Sequence, residues 1–337
     1  MKITFLIYSA RSGSTFLANH IAQTRPEVVV VPEFRLPLLL MWRSEAEIRS
    51  LSSKDLRALF ARDLQLDNLG LDDQVIETLS NRLVGQGRRA IILAFLQEFR
   101  DAHGHVGTEY LIKNGRVVFE KDAVQEILPE ANFVEIIRDP RGVVNSMMNT
   151  RTVYSYGGPM AGGDPLKAAS IWREHRQAVQ KIAKTPTCIR YEDLVANLED
   201  VDETLDACFG SGTTSAVTAR KPRVVSQKEQ SLHRLVGKKA DAKRLDEWKS
   251  TIPPRTGMAI EAFLGTTMTT AGYGPYFTTQ AAADEIAAAL ASQKRTSQVL
   301  RAKHILRTQL HWLCEALRRP RQVLFRLENA RRMRNSK

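Results

Sequence analysis

Residues 7–21, IYSARSGSTFLANHI, leave an apolar run, pass through small and basic residues, and enter a helical pattern. The run before them, KITFLIYS (2–9), is β-branched and aromatic and of strand length. From Thr15 onward, Phe16, Leu17 and Ile21 recur as they would on one side of a helix. A strand–loop–helix unit of this kind aims backbone N–H groups and the positive helix end at whatever the loop holds. Gly13 supplies the tight turn, Ser12, Ser14 and Thr15 supply hydroxyl donors, and Arg11 supplies a fixed bidentate cation. The loop of nucleotide hydrolases requires G-x-x-x-x-G-K-[ST]. With Gly13 as its last glycine, Tyr8 falls at the first glycine and Ser14 at the lysine. Those two mismatches argue against a nucleoside triphosphatase, so the loop holds an anion of another kind.

Outward from this loop the chain repeats the pattern. EVVVVPEF (27–34), TEYLIK (108–113), NFVEIIR (132–138) and TCIRY (187–191) are short apolar runs separated by helical stretches. SSKDLRALFARDL (52–64) opens on a serine cap within a helical insertion over 36–107. Strands alternating with helices predict an α/β fold, a parallel β-sheet flanked by helices. Ligands of such sheets sit at the C-terminal strand ends, where Arg11, Glu33, Lys113, Arg138 and Tyr191 all fall. A second anion unit lies in VEIIRDPRGVVNSMM (134–148). There Arg138 ends a strand, Asp139 and Pro140 turn the chain, and Ser146 follows on the next helix. Two such units at neighbouring strand ends suit a ligand with phosphates at two separate places.

In combination these stretches resemble the sulfotransferases that use 3′-phosphoadenosine 5′-phosphosulfate. SARSGSTFL (9–17) is similar to their 5′-phosphosulfate loop in its arginine form, and RDPRGVVNSM (138–147) to their 3′-phosphate motif. IRYEDL (189–194) and the basic GKKADAKRLDEW (237–248) follow in the family's order, so the resemblance spans roughly residues 1–276. It implies a fold related to P-loop kinases and a reaction without metal. It also implies that Arg11, with the N–H groups of Ser12, Gly13, Ser14 and Thr15, holds the phosphosulfate, and that Arg138 and Ser146 hold the 3′-phosphate. Tyr191 would lie against the nucleotide, and Ser231 and Lys238 would close over it.

Sulfuryl transfer, like phosphoryl transfer, depends on positioning and charge stabilisation along an in-line path. Arg11 and Lys113 are the candidate cations for the leaving phosphate, and Glu33 is the candidate general base for the acceptor hydroxyl. ARSGST (10–15) and RPEVVVVPEFRLP (25–37) together are similar to the tyrosylprotein branch of the family. That branch has a base glutamate and a substrate-binding arginine two residues apart. These carry over to Glu33 and Arg35, and its stabilising lysine to Lys113. Gly115 departs from the branch, which usually has proline there. A protein tyrosine is the expected acceptor, with a carbohydrate or lipid-linked hydroxyl as the alternative.

The bulk composition fits this reading. At 43% hydrophobic and 26% charged residues, the 337-residue chain is of the globular class. It has no apolar run long enough to span a membrane. Its three cysteines, Cys188, Cys208 and Cys314, suit neither a disulfide framework nor a metal site, so reduced thiols in a cytoplasmic protein are expected. His103 and His105 lack further ligands nearby and read as surface loop rather than metal site.

The net charge of +12 suggests nucleic acid until it is located. Residues 294–337 hold 13 Lys and Arg against two acids and so carry +11 of it. Few aromatics interleave there, and no nucleic-acid partner is expected. The chain therefore divides into a catalytic domain, 1–280, and a basic amphipathic helical tail, 281–337. Val299, Leu306, Leu310, Leu313 and Leu317 form one stripe of that tail. The tail suits a solvated helix, an oligomer contact, an anionic membrane surface or capture of an acidic acceptor peptide. GPMAGGDP (158–165) reads as a loop over the acceptor cleft or a plain surface loop. A P-loop kinase is the other enzyme class left open.

Overall fold

The computed structural model describes residues 1–63, 65–151, 158–210 and 242–318. Strand β1 (Lys2–Tyr8) leads through the loop into helix α1 (Ser14–Thr24) and then β2 (Val28–Val31). The insertion follows as α2 (Leu36–Met41), α3 (Glu45–Arg49), α4 (Ser53–Phe60), α5 (Asp73–Arg82) and α6 (Arg88–Ala102). Ser52 caps α4 by accepting from the Asp55 N–H, as its sequence predicts. The alternation resumes with β3 (Glu109–Lys113), α7 (Lys121–Ile127), β4 (Asn132–Ile137), α8 (Pro140–Met148), α9 (Pro165–Val179) and β5 (Thr187–Arg190). Helices α10 (Tyr191–Ala196), α11 (Leu198–Phe209), α12 (Glu247–Thr251), α13 (Pro254–Leu264), α14 (Thr266–Thr270) and α15 (Ala283–Arg318) complete the described chain.

All five strands are parallel, in the order β2-β3-β1-β4-β5. Both faces of the sheet are covered, which is why its strands read as continuous apolar runs rather than alternating ones. Ile3, Phe5, Ile7, Val29 and Val31 point into a core shared with the insertion helices. Leu6, Val28, Val30, Leu111 and Val134 point the other way, onto Leu17 and Ile21 of α1 and Val201 and Leu205 of α11. The buried guanidinium of Arg25 secures α1 from behind, binding the Asp202 and Asp206 carboxylates at 2.9 and 2.6 Å. The 9–13 loop therefore leads into a helix whose far end is anchored.

The topology also selects the ligand crevice. From β1 the chain first builds towards β2 and β3, then returns to the other side for β4 and β5. Strand order reverses at β1, so a crevice opens between the C-terminal ends of β1 and β4. Both anion units lead into it.

Helix α15 starts packed on the domain. Ala289 and Ser297 are buried, and the Asp164 carboxylate accepts from Ser297 Oγ (2.6 Å) and Arg301 Nε (3.2 Å). Beyond these contacts Leu306, Leu310, Leu313 and Leu317 are exposed. The GPMAGGDP stretch lies against this helix: a Cβ at Gly162 would be 3.0 Å from the His304 ring. Among the described residues, no helix is long and apolar enough to cross a membrane.

Candidate active site

After Tyr8 the backbone turns sharply, with the Ser12 N–H donating to the Ser9 carbonyl at 3.2 Å. Arg11 (φ 69°) and Gly13 (φ 94°) both adopt left-handed conformations. At Arg11 this costs on the order of 1–3 kcal/mol, a local strain of the kind found where a backbone wraps a ligand. Gly13 is required twice over, because a Cβ there would also lie 2.3 Å from Tyr191 Cδ2. Gly13 provides no side-chain cap, so the first N–H groups of α1 face the loop without one. Ser12 is fully buried, and its Oγ has no hydrogen-bond partner among the described residues. A buried hydroxyl in that condition calls for a partner from outside the chain.

Facing this loop, Arg138 stacks its guanidinium over the Tyr191 ring at 4.3 Å and donates to the Arg11 carbonyl at 3.3 Å. Arg11 Nε donates to Ser146 Oγ at 3.0 Å. Burial, together with the nearby charge of Arg138, pushes the Arg11 guanidinium below its ordinary pKa. Among the described residues, neither arginine forms a salt bridge with a carboxylate. Two guanidinium groups gathered without a counter-charge are suited to an anion. Arg141 differs. It is buried, paired with Asp139 (2.7 Å) and Glu261 (2.6 Å), and stacked on Trp248 at 4.0 Å. Within the RDPR turn, then, Arg141 joins α8 to α13 while Arg138 faces the crevice.

Lys113 ends β3, where it is buried and donates from Nζ to Thr15 Oγ1 at 2.9 Å. The lysine is thereby joined to the phosphate loop. Glu33 follows β2, half-buried, and its Oε2 accepts the Tyr8 phenol at 2.8 Å. Arg35 is exposed, with Nε on Gln65 Oε1 at 3.1 Å. The Asp63 carboxylate fixes this corner by accepting from the backbone N–H groups of Arg35 (2.5 Å) and Leu36 (2.6 Å), which start α2. Burial raises its pKa to about 6 against those hydrogen bonds. The Arg116 guanidinium is lowered in pKa by desolvation and then by the charge of Arg35, with Glu120 and Glu33 opposing. Arg116 thus lies within electrostatic reach of both Arg35 and Glu33.

The structure gathers Arg11, Ser12, Gly13, Ser14, Thr15, Arg138, Ser146 and Tyr191 into one crevice, with Lys113 attached through Thr15 and Glu33 through Tyr8. Ser231 and Lys238 lie outside the described residues. Sequence reasoning took Tyr8 only as a mismatch to another motif, and it singled out neither Asp63 nor Arg116. The first contact spans 25 positions and Asp63 to Arg35 spans 28. No local periodicity signals either. Gly115, the departure from the proline expected there, has a local reason: a Cβ would come within 2.4 Å of the Tyr8 carbonyl oxygen.

Comparison with known proteins bears on the family and the fold. A model described as the sulfotransferase family matches residues 4–210. Among solved structures, the sulfotransferase domain of the olefin synthase of Synechococcus PCC 7002 is similar, with a TM-score of 0.55 and 19% identity. That match covers 81% of this chain and 95% of that one. The sulfotransferase domain from the curacin biosynthetic pathway is similar at a TM-score of 0.55 and 17% identity, covering 82% of this chain and 99% of that one. Among curated proteins, none matches this chain in sequence. At these identities the solved structures speak to the fold, a parallel sheet with flanking helices.

Proposed function

The chain belongs to the sulfotransferase family, and from that premise we propose that it moves a sulfuryl group from 3′-phosphoadenosine 5′-phosphosulfate to a peptide tyrosine. One observation carries the choice of co-substrate: Arg11 and Arg138 converge without a carboxylate partner among the described residues, and Ser146 touches the first of them. The residues present fit a nucleotide with phosphates at both ends. The loop, with its orphaned Ser12 hydroxyl, would hold the 5′ end, and Arg138 with Ser146 the 3′-phosphate. Tyr191, already stacked beneath Arg138, would support the nucleotide.

When bound, the co-substrate supplies an activated sulfuryl group. The chain's own residues then have three tasks. Arg11 and Lys113 stabilise negative charge at the leaving phosphate; Lys113 does so from a buried position, where a fixed charge is worth more than in water. Thr15 holds the Lys113 ammonium in place. Glu33 takes the proton of the acceptor hydroxyl.

Two features support a tyrosine among acidic neighbours as the acceptor. Glu33 already accepts one phenol, that of Tyr8, so its carboxylate suits this donor. Arg35 and Arg116 beside it would attract acidic residues flanking the target. The test is transfer of labelled sulfate from the co-substrate to tyrosine peptides with and without flanking acids, to glycans, and to lipid-linked alcohols. Label on the acidic peptides is the expected result. Label on glycans or lipids alone would overturn the choice of acceptor, and no label on any of them, with acceptor-free hydrolysis also absent, would overturn the transfer.

A further inference from the structure

Tyr8 stands where a nucleotide hydrolase would have glycine, and the family match assigns it nothing. Its position is unusual in a second way. It ends the central strand β1, whereas Glu33 follows the edge strand β2, and β3 lies between them. The Tyr8 side chain crosses the end of β3 to reach the carboxylate, where its hydroxyl donates to Oε2 at 2.8 Å. On the way its ring passes Lys113, whose Nζ is 5.7 Å from the ring centre. It also passes Gly115, where a Cβ would meet ring atoms Cδ2 and Cε2 at 3.1 Å and the Tyr8 carbonyl oxygen at 2.4 Å. A side chain at 115 would press first on the Tyr8 carbonyl and then on its ring, and the chain has none there.

We infer that Tyr8 is a positioning residue for the sulfuryl-transfer reaction: its phenol fixes the Glu33 carboxylate so that the remaining lone pairs face the acceptor hydroxyl, and Gly115 leaves room for the crossing. The inference rests on the reading of Glu33 as the general base. An ionised carboxylate has about four acceptor sites, and Tyr8 occupies one of them. A side chain pinned at one oxygen loses its freedom to rotate away from the acceptor, which matters where small displacements cost rate.

Tyr8→Phe keeps the ring and removes only the donor. Its kcat is expected to fall roughly tenfold, with KM for the co-substrate unchanged. Gly115→Ala, which pushes on the Tyr8 carbonyl and then on its ring, should lower kcat in the same way, again with KM for the co-substrate little changed. In Glu33→Gln, whose own loss is on the order of 10²-fold or more, adding Tyr8→Phe should cost nothing further, since the phenol acts through that carboxylate. A Tyr8→Phe enzyme with the parent's kcat would overturn the inference while leaving Glu33 as the base. So would a fall in kcat that multiplies with the Glu33→Gln loss, since that pattern marks a purely structural tyrosine. Full activity in Glu33→Gln alone removes the base itself, a separate failure read from a separate variant.

Discussion

Arg11 of the phosphate loop donates from Nε to Ser146 Oγ of α8 at 3.0 Å, joining the two anion units across the crevice between β1 and β4. A small hydroxyl thus links two motifs that the sequence presents 135 positions apart. Ser146→Ala should weaken 3′-phosphoadenosine 5′-phosphate by roughly tenfold or more, the usual scale for a hydrogen bond to a charged group. Binding of adenosine 5′-monophosphate, which lacks the 3′-phosphate, should change much less. Calorimetric titration of both nucleotides into both proteins measures the difference.

Lys113 is buried against the loop, with Thr15 as its hydrogen-bond partner. Lys113→Met retains the apolar stem and removes the charge. Turnover is expected to fall on the order of 10²- to 10³-fold, as when a preorganised donor to a developing charge is lost, with a smaller effect on nucleotide affinity. Single-turnover transfer with the co-substrate in excess separates the two quantities.

Asp63 gives the acceptor corner a pH signature in stability. Its carboxyl is raised from 3.8 to about 6 by burial. Between those values the folded chain holds a proton that the unfolded chain has released. The stabilisation from this group is therefore complete below about pH 4 and is lost as pH rises through 6. A shift of that size is worth up to about 3 kcal/mol. Asp63→Asn cannot titrate, so the stability of the parent relative to the variant should fall by up to that amount between pH 4 and pH 7. Urea unfolding of both proteins across this range reads it.

Two truncations should behave differently because α15 is not uniform. Ending the chain after 280 removes buried Ala289 and Ser297 and leaves the Asp164 carboxylate without the Ser297 hydroxyl and Arg301. Ending it after 304 keeps all of these and removes the exposed Leu306, Leu310, Leu313 and Leu317. The first should cost several kcal/mol, on the scale of lost core packing with a stranded buried charge. The second should leave thermal unfolding close to that of the full chain.

Much of the fold is legible in the sequence because its signals are local. Val28–Val31 is four β-branched residues buried on both faces, and only a strand inside a covered sheet accommodates such a run. The turn at Arg11, Ser12 and Gly13 shows its purpose through glycine and hydroxyls in a row. What the sequence conceals depends on distant partners. Arg138 and Arg141 flank the same Asp139, and the sequence does not say which of them it pairs; in the fold it pairs with Arg141, together with Glu261, 120 positions on. The Asp63 contact to the start of α2 and the Tyr8 contact to Glu33 are likewise made only when the chain closes. The tail shows the same limit. Its leucine stripe is visible as a pattern, but the contacts of Ser297 and Arg301 with Asp164, more than 130 positions away, are not.

The most direct measurement compares three nucleotides for the full-length protein in metal-free buffer: 3′-phosphoadenosine 5′-phosphate, adenosine 5′-monophosphate and adenosine 3′-monophosphate. If Arg11 and Arg138 grip opposite ends of one ligand, the doubly phosphorylated nucleotide binds at least about tenfold more tightly than either monophosphate. Equal affinity for all three, or no binding of the first, would contradict the account.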